Sequence, residues 1–550
     1  MPRIALQLFL VALSLGSAGS ARAQYLGATT FDYIVVGGGP SGLITSQRLT
    51  ETGKSVLLIE RGGASTASTG GRKFVPWSKK LTYYDVPGVF ESLPTGTGGE
   101  AYCADTPAVA GCVLGGGGSV NGMAFIHPPT QDFDDGWPSG WNWDDIEPAA
   151  ERLYKRNPGT TMPSRDGRAY DNGAAVVLTP WLEDNDWSFV DGIKDPNSKE
   201  KSFGPTQLNI ANGLRSGPIH TYLPLAQKES GFTLRLNAKV IRVVRKGGTM
   251  TGVEIEDAEG TQIVKLKPDG AVLLAAGVMS TPRVLFNSGI GPIEQIKIVN
   301  GSATGVDVPE TDWINLPVGR NVKDHSRYQL EFKVPGGLND KSPEELLNPT
   351  EEEKRQFADG SGVLTQSFQR LDLFRQHTTS NDRVISFHAH CSSNADDTLQ
   401  IMLMITHGLT STGTLGIDSN GNTVFTKRPW TNTDTDREAW SLAINEILEM
   451  SRQPGSPIVY SGDSDATAES VLSADALPGI HIVGSAKMGT DDGRTGGTAV
   501  VDLNTKVYGT NNLYVVDASF HPDLSTGNNQ AMVMIAAEHA VQKIISSRKR

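Results

Sequence analysis

The segment Gly37-Gly38-Gly39-Pro40-Ser41-Gly42 matches the spacing G-x-G-x-x-G at Gly37, Gly39 and Gly42. That spacing suits a phosphate-bearing ligand. Glycines let the backbone approach a pyrophosphate, and a helix starting at the turn offers free N–H groups and the positive end of its dipole. The order of elements around it makes the signal specific. Residues 32–36 form a β-branched run that predicts a buried strand, 43–52 reads as a helix, and 55–59 as a second buried strand. That strand ends at Glu60, 18 residues beyond Gly42, where a carboxylate accepts hydrogen bonds from ribose hydroxyls. A glycine turn in some unrelated α/β unit lacks this sequence of strand, turn, helix, strand and acid. Glu60 also repels a 2′-phosphate, which disfavours NADP but does not separate NAD from FAD.

The remaining reactive side chains are few. His388 and His390 alternate within 384–391. They have the chemistry of metal ligands, yet a strand in a substrate-binding unit explains them as well or better, so no metal is assigned. His127, His407 and His521 could line a pocket, and no role is assigned to them. The chain opens with Arg3, an apolar run over 4–15, and small residues ending in Ala21-Arg22-Ala23. This pattern predicts a cleaved signal peptide over 1–23, a mature start at Gln24, and secretion. In an oxidising compartment three cysteines leave at least one unpaired. Cys103 and Cys112, on either side of 104–111, are the favoured disulfide, and Cys391 reads as a small buried apolar residue. Asn300-Gly301-Ser302 is the one glycosylation sequon free of an intervening proline.

The elements that must position these groups follow from composition and pattern. The chain has 550 residues, 38% hydrophobic and 20% charged, with 49 Lys+Arg against 61 Asp+Glu and a net charge of −12. Such a chain is globular, and its acidity argues against nucleic-acid or anionic-membrane partners, which need clustered cations. A second glycine cluster, Gly115-Gly116-Gly117-Gly118-Ser119-Val120-Asn121-Gly122, is flanked by apolar residues and suits a loop pressed against something flat and buried. Residues 271–276 predict another buried strand. It leads to a helix with Pro282 in its first turn and Gly289 at its C-terminal cap.

The 37–42 turn with Glu60, the 115–122 loop and the segment 277–292 together resemble the glucose-methanol-choline (GMC) family of FAD oxidoreductases. Further matches lie at 89–93, 213–222, 313–321 and 507–530, so the likeness runs from about Phe31 to the C-terminus. Within the family the chain is most similar to the flavin domain of fungal cellobiose dehydrogenase. Only seven residues separate the expected mature start from that unit, so the accompanying cytochrome domain is not expected. The resemblance implies FAD in an extended pose, bound by Gly37, Gly39, Gly42, Glu60, Gly116, Ser119, Asn121, Val240, Gly277 and Asp517. Members that tether FAD carry a His just before the loop Asn. Val120 stands there, so non-covalent binding is expected.

The resemblance also assigns the chemistry. His481, in Gly479-Ile480-His481-Ile482-Val483-Gly484, matches the base that takes the alcohol O–H proton while hydride leaves carbon for flavin N5. Histidine suits this because its ordinary pKa of about 6.5 lies near working pH. A satisfied core histidine is the bland alternative, and the motif match on both sides outweighs it. Asn528, 47 residues on, would hydrogen-bond the substrate oxygen. A helix over 530–545 would turn its positive end toward the reduced, anionic flavin.

Departures from the cellobiose enzyme concern the substrate. Glu91 keeps a sugar-binding carboxylate, but Pro94 replaces an aromatic platform, 411–415 holds no Arg, and Gly479-Ile480 replaces a Ser-Asn pair. Each lost buried hydrogen bond is worth about 1 kcal/mol or more. Ile480 beside the base favours a less polar carbinol. The substrate expected is therefore a sugar or other alcohol and not cellobiose, with a natural-product tailoring role as the alternative. A nicotinamide-dependent dehydrogenase and a non-redox FAD protein weigh less. The acceptor expected is external, quinone-like or O2, with a dehydrogenase favoured over an oxidase. The fold expected is α/β: a Rossmann-like FAD domain from 30–140, 216–330 and 475–550, interleaved with a substrate domain from 141–215 and 331–474. The latter is expected to be an antiparallel sheet with helices, with strands near 328–334, 384–389, 399–406 and 414–418 and a polar loop or lid over 335–362.

Overall fold

The computed structural model describes residues 30–93, 101–338, 340–395 and 397–548. The leader expected over 1–23 and Pro94 lie outside these residues.

Two sheets organise the chain. In the first, Thr30–Val36 runs parallel to Val56–Ile59 on one side and to the end of Gly260–Leu274 on the other, so that Tyr33 faces both Val56 and Ala271. Phe232–Arg235 extends one edge in parallel, and Leu513–Val515 pairs in parallel with Gly260–Leu274. Thr249–Asp257 and Lys239–Lys246 complete seven strands as an antiparallel ribbon. The parallel strands are almost wholly apolar because both faces are covered. Pro40–Thr50 packs against Gln530–Arg548, which also packs against Trp143–Arg156. Fully buried Glu538 ties these helices, accepting from Arg152 Nε at 2.9 Å and from the Tyr222 hydroxyl at 2.6 Å.

The second sheet has eight strands and is mostly antiparallel, with Ser326–Lys333, Thr398–Ile405, Val384–Ala395 and Leu371–Thr378 at its centre. Its alternation sorts two chemistries. One face carries Leu330, Leu403, Phe387 and Leu373, which share a core with Trp440, Ile444 and Ile447 of the helix Asp434–Ser451. On the other face Arg327, Met404, His388 and Phe374 stand opposite one another across four strands. One step along come Met402, His390 and Asp372. That polar and thioether-bearing face roofs the site.

Three expectations are corrected. The helix Trp143–Arg156, expected with 141–215 on the substrate side, buries Ile146, Ala149 and Leu153 in the core of the first sheet. The strand near 414–418 forms as Gly413–Ile417 but joins a separate three-stranded sheet with Arg320–Val322 and Thr423–Lys427. The loop expected over 335–362 contains two helices, Pro343–Leu347 and Glu351–Ala358, each with a complete capping box, Ser342 with Glu345 and Thr350 with Glu353. Both boxes were readable as S/T-x-x-E, and the charge of the segment masked them. Leu346 and Phe357 anchor the helices against Val86 and Val89.

Candidate active site

A cavity of about 570 Å³ lies between the C-terminal ends of the parallel strands and the polar face of the second sheet. Its floor begins at the 37–42 turn. Gly37 has φ +105°, a backbone conformation that favours glycine. A Cβ on Gly42 would fall 1.9 Å from the Gly37 carbonyl oxygen, so Gly42 closes the turn on itself and does not line the cavity. A Cβ on Gly39 would meet nothing within 4 Å and would project into the cavity. The helix Pro40–Thr50 has no side-chain cap and no acidic residue in its first turn, leaving its N–H groups free for an anion. Glu60 is buried and accepts from the N–H of Gly38 and of Gly62, each at 2.7 Å. Burial pushes its carboxyl up and these two bonds pull it back.

The second glycine cluster meets the first, since a Cβ on Gly116 would lie 3.0 Å from the Gly39 Cα. The cluster, expected to be a loop, contains one helical turn over Gly117–Val120. Tertiary contacts impose it. Nη1 of buried Arg215 donates to the carbonyls of Gly118 and Asn121 and to Asn121 Oδ1, at 3.2, 2.7 and 2.9 Å. Arg215 lies in the matching segment 213–222, but nothing local in the sequence gives it this role. Ser119, expected at the cofactor, turns away: its hydroxyl donates to the Leu114 carbonyl at 2.9 Å and is fully buried. Gly116, Asn121, Val240 and Gly277 do line the cavity, as does Asp517. Asp517 pins the Gly277 turn by accepting from the Gly277 N–H at 2.9 Å and the Thr281 hydroxyl at 2.6 Å. Cys103 and Cys112 are disulfide-bonded, and the ribbon they close presents Val109, Ala110 and Gly111 to the cavity. Cys391 is buried and free.

These residues fit an FAD. Gly39, Gly117 and Gly277 leave open space where a Cβ would stand. Arg61, Lys239 and Arg283 share the single carboxylate of Asp105, which leaves net positive charge beside Glu60 for a diphosphate. Oε1 of Gln369 and of Gln530 are buried without a partner, and both residues line the cavity, ready for donors on a bound ring.

At the far end stands His481. Its Nδ1 lies 3.2 Å from Nδ1 of His325, whose Nε2 lies 3.1 Å from the Ser525 carbonyl. A carbonyl only accepts, so His325 carries its proton on Nε2, and its bare Nδ1 accepts from His481 Nδ1–H. The lone pair of His481 is thereby left on Nε2, where the Asn528 amide donates at 2.7 Å. Asn528 Oδ1 in turn accepts from Nε2 of His390 at 2.7 Å, and Nδ1 of His390 donates to Asp372 at 2.8 Å. Burial above all holds His481 well below the usual histidine range. It is a neutral ring at the cavity wall whose Nε2 carries no proton. Asp372, His388 and His390 form the cluster of potential metal ligands. His390 spends both nitrogens on Asp372 and Asn528, so the arrangement holds Asn528 in place.

The turn bearing His481 is held from below. Buried Asp324 accepts from the N–H groups of Gly479, Ile480 and His481 at 3.1, 3.3 and 2.7 Å, and from the Trp430 indole at 2.8 Å. Ile480 has φ +65°, rare for a β-branched residue, and is 40% exposed at the cavity wall. Burial raises Asp324 to about 6 although these N–H bonds pull it down. Among the described residues Glu91 does not line the cavity. It sits at the end of the turn Pro87–Ser92, within the field of Arg370, and Phe90, stacked on Phe368, takes the wall.

Residues 31–327 match the N-terminal and 410–537 the C-terminal pattern of the GMC oxidoreductases. The chain belongs to this family and is an FAD-dependent oxidoreductase. It is 25% identical over 554 residues to the oxygen-dependent choline dehydrogenase of Photobacterium profundum, covering 94% of each chain. It is 28% identical over 569 residues to that of Vibrio vulnificus, again with 94% of each covered. Among solved structures, formate oxidase of Aspergillus oryzae superposes with a TM-score of 0.75 at 18% identity, covering 95% of this chain and 99% of that one. A fungal aryl-alcohol oxidase gives 0.71 at 18%, covering 95% and 100%.

Proposed function

We propose that the protein oxidises the CH–OH group of a small, largely apolar alcohol, with non-covalent FAD as its cofactor and an external electron acceptor. FAD bound along the glycine turns supplies the hydride acceptor. The observation that carries the reading is the unprotonated Nε2 of His481, which accepts from Asn528 where both residues line the cavity. An alcohol whose oxygen enters between the two groups displaces the bond between them, giving its proton to His481 Nε2 while the freed Asn528 N–H fixes the oxygen so that the carbinol C–H points into the cavity. The choline dehydrogenases named above act, by their names, on an alcohol, which supports the same class. Val120 at the cavity wall cannot form the ring-nitrogen bond that tethers FAD.

Met402, Met404, Ile480, Phe90 and Phe368 give the wall an apolar character, which supports a substrate less polar than cellobiose. That wall is also the observation favouring a second reading, a tailoring dehydrogenase or oxidase acting on a secreted natural product. The secretory leader over 1–23, a glycan at Asn300 and a dehydrogenase preference for a quinone-like acceptor belong to the proposal.

The test is anaerobic mixing of the purified holoprotein with cellobiose and with benzylic alcohols. We expect yellow protein whose visible band bleaches with the benzylic alcohols, flavin released by acid precipitation, and a kcat loss of about 10²–10⁴ in His481→Gln. Colourless protein, or efficient turnover of cellobiose, overturns the reading. N-terminal sequencing of secreted protein checks Gln24, and peroxide release separates oxidase from dehydrogenase.

A further inference from the structure

We propose that Arg327 receives an sp² oxygen of the substrate, a carboxylate or a carbonyl, so that the alcohols this protein takes carry such an oxygen on their apolar body. The inference rests on the alcohol-oxidising reading above and names the substrate class of that same site.

Arg327 stands on Ser326–Lys333, opposite Met404 on the face that roofs the cavity, and its side chain lines the cavity with His481. Its donors are unmatched. Nη1 donates to the thioether of Met402 at 3.1 Å, a weak acceptor, and Nε is buried with no acceptor at all. No carboxylate oxygen of a described residue comes within ion-pair distance of it. Asp324 reaches Arg327 through space, but its oxygens are already engaged by four N–H groups of the 479–481 turn and Trp430. The charge of the guanidinium thus has a counterweight, while its N–H donors do not.

Burying donors without acceptors is costly, and a planar guanidinium is shaped for a pair of oxygens or one carbonyl. The neighbouring wall, Met402, Met404 and Ile480, offers none. Arg327 also lies near enough to His481 for its charge to disfavour the protonated ring. A substrate whose carbinol oxygen meets His481 and Asn528 therefore passes its remaining body under the guanidinium. An oxygen there completes the hydrogen bonds that the protein leaves open.

The test compares kcat/KM for benzyl alcohol, for 3- and 4-(hydroxymethyl)benzoate and for their methyl esters, in the wild-type holoenzyme, Arg327→Met and Arg327→Lys. For the better isomer we expect at least a tenfold preference over benzyl alcohol in the wild type. That preference should fall to within threefold in Arg327→Met and survive in part in Arg327→Lys. Acid above ester identifies a carboxylate; ester equal to or above acid identifies a carbonyl. No preference in the wild type, or an equal loss for all five alcohols in Arg327→Met, overturns the proposal and leaves Arg327 a structural residue. Should Arg327→Met lose its flavin, binding of benzoate and acetophenone against ethylbenzene to the wild type, read from the visible spectrum, decides. Tenfold tighter binding of either oxygen-bearing probe is expected, and equal binding overturns the proposal. If the protein is yellow and no alcohol bleaches it, the alcohol reading fails, and the same binding comparison still reports on Arg327.

Discussion

At the scale of single residues, the site depends on which nitrogen of His481 holds a proton. The Ser525 carbonyl decides it, because a chain of one-way hydrogen bonds runs from that oxygen through His325 to His481. Asn528 reads the result by donating to the bare Nε2, and His390 holds the amide in that orientation from its other side. Replacing Asn528 by Asp tests the arrangement. A carboxylate beside Nε2 favours the protonated ring, so the pKa of His481 rises and the base is lost below the new value. In Asn528→Asp the His481 ring, followed by its own NMR signals, should take up its proton at a pH at least one unit higher than in the wild type. An unmoved titration would show that Nε2 is not the nitrogen beside Asn528.

At the scale of elements, two short turns carry the burden. The Gly479–His481 turn is bound to one carboxylate, Asp324. Asp324→Asn puts an amide donor where three backbone donors converge, and each buried N–H left unpaired costs about 1–3 kcal/mol. We expect a lowered denaturation midpoint and at least a tenfold fall in kcat with a smaller change in KM. The wild-type profile should lose activity as pH falls through about 6, where Asp324 gains a proton, and the variant's normalised profile should lack that limb. The Cys103–Cys112 ribbon is the second turn. It closes a nine-residue separation, for which loop entropy gives roughly 2.5 kcal/mol. A Cys103→Ser/Cys112→Ser protein should unfold at lower denaturant and carry less flavin, since Val109 to Gly111 form cavity wall; unchanged flavin content would place the ribbon outside the cofactor's support.

At the scale of the whole molecule, buried histidines dominate the response to acid. His325 and His521 are held down to about 3, His127, His388 and His539 to about 4, and His481 well below its usual value, each chiefly by burial. A histidine depressed in the folded state binds its proton first in the unfolded chain. Stability is then full above the unfolded value of about 6.5 and is lost as pH falls from there toward 4. Carboxyls raised by burial, Asp324, Glu60, Asp517 and Asp132, act in the opposite sense over part of that window. Lowered His220 joins the histidines, and Glu91, Asp171 and raised His407 join the opposition. The histidines respond first, from about 6.5 downward, so the thermal midpoint should drop between pH 7.5 and pH 6. A midpoint that is flat or rises on acidification would mean that these rings are solvated.

The dinucleotide half of the fold was legible because its signals are local. Gly37, Gly39, Gly42 and Glu60 lie within one strand–helix–strand unit, and the C-terminal helix announced itself by apolar spacing over 530–545. His481 and Asn528 were found through motifs a few residues long, and the cysteine pair through its short spacing. What the chain does with distant residues was not legible. Ser119, expected at the cofactor, faces inward, and Arg215 braces a glycine turn 94 residues away. His390 looked like a strand residue or a metal ligand until folding set it against Asn528, 138 residues on. Arg327 gave no sign at all before strand pairing put it on the roof of the cavity. Turns, caps and periodicity are written in neighbouring residues, because the backbone energies that set them act over a few bonds. Which face of a sheet meets which loop is set by packing and hydrogen bonding between parts of the chain that no short-range pattern relates, and the substrate end of this site is built from such meetings.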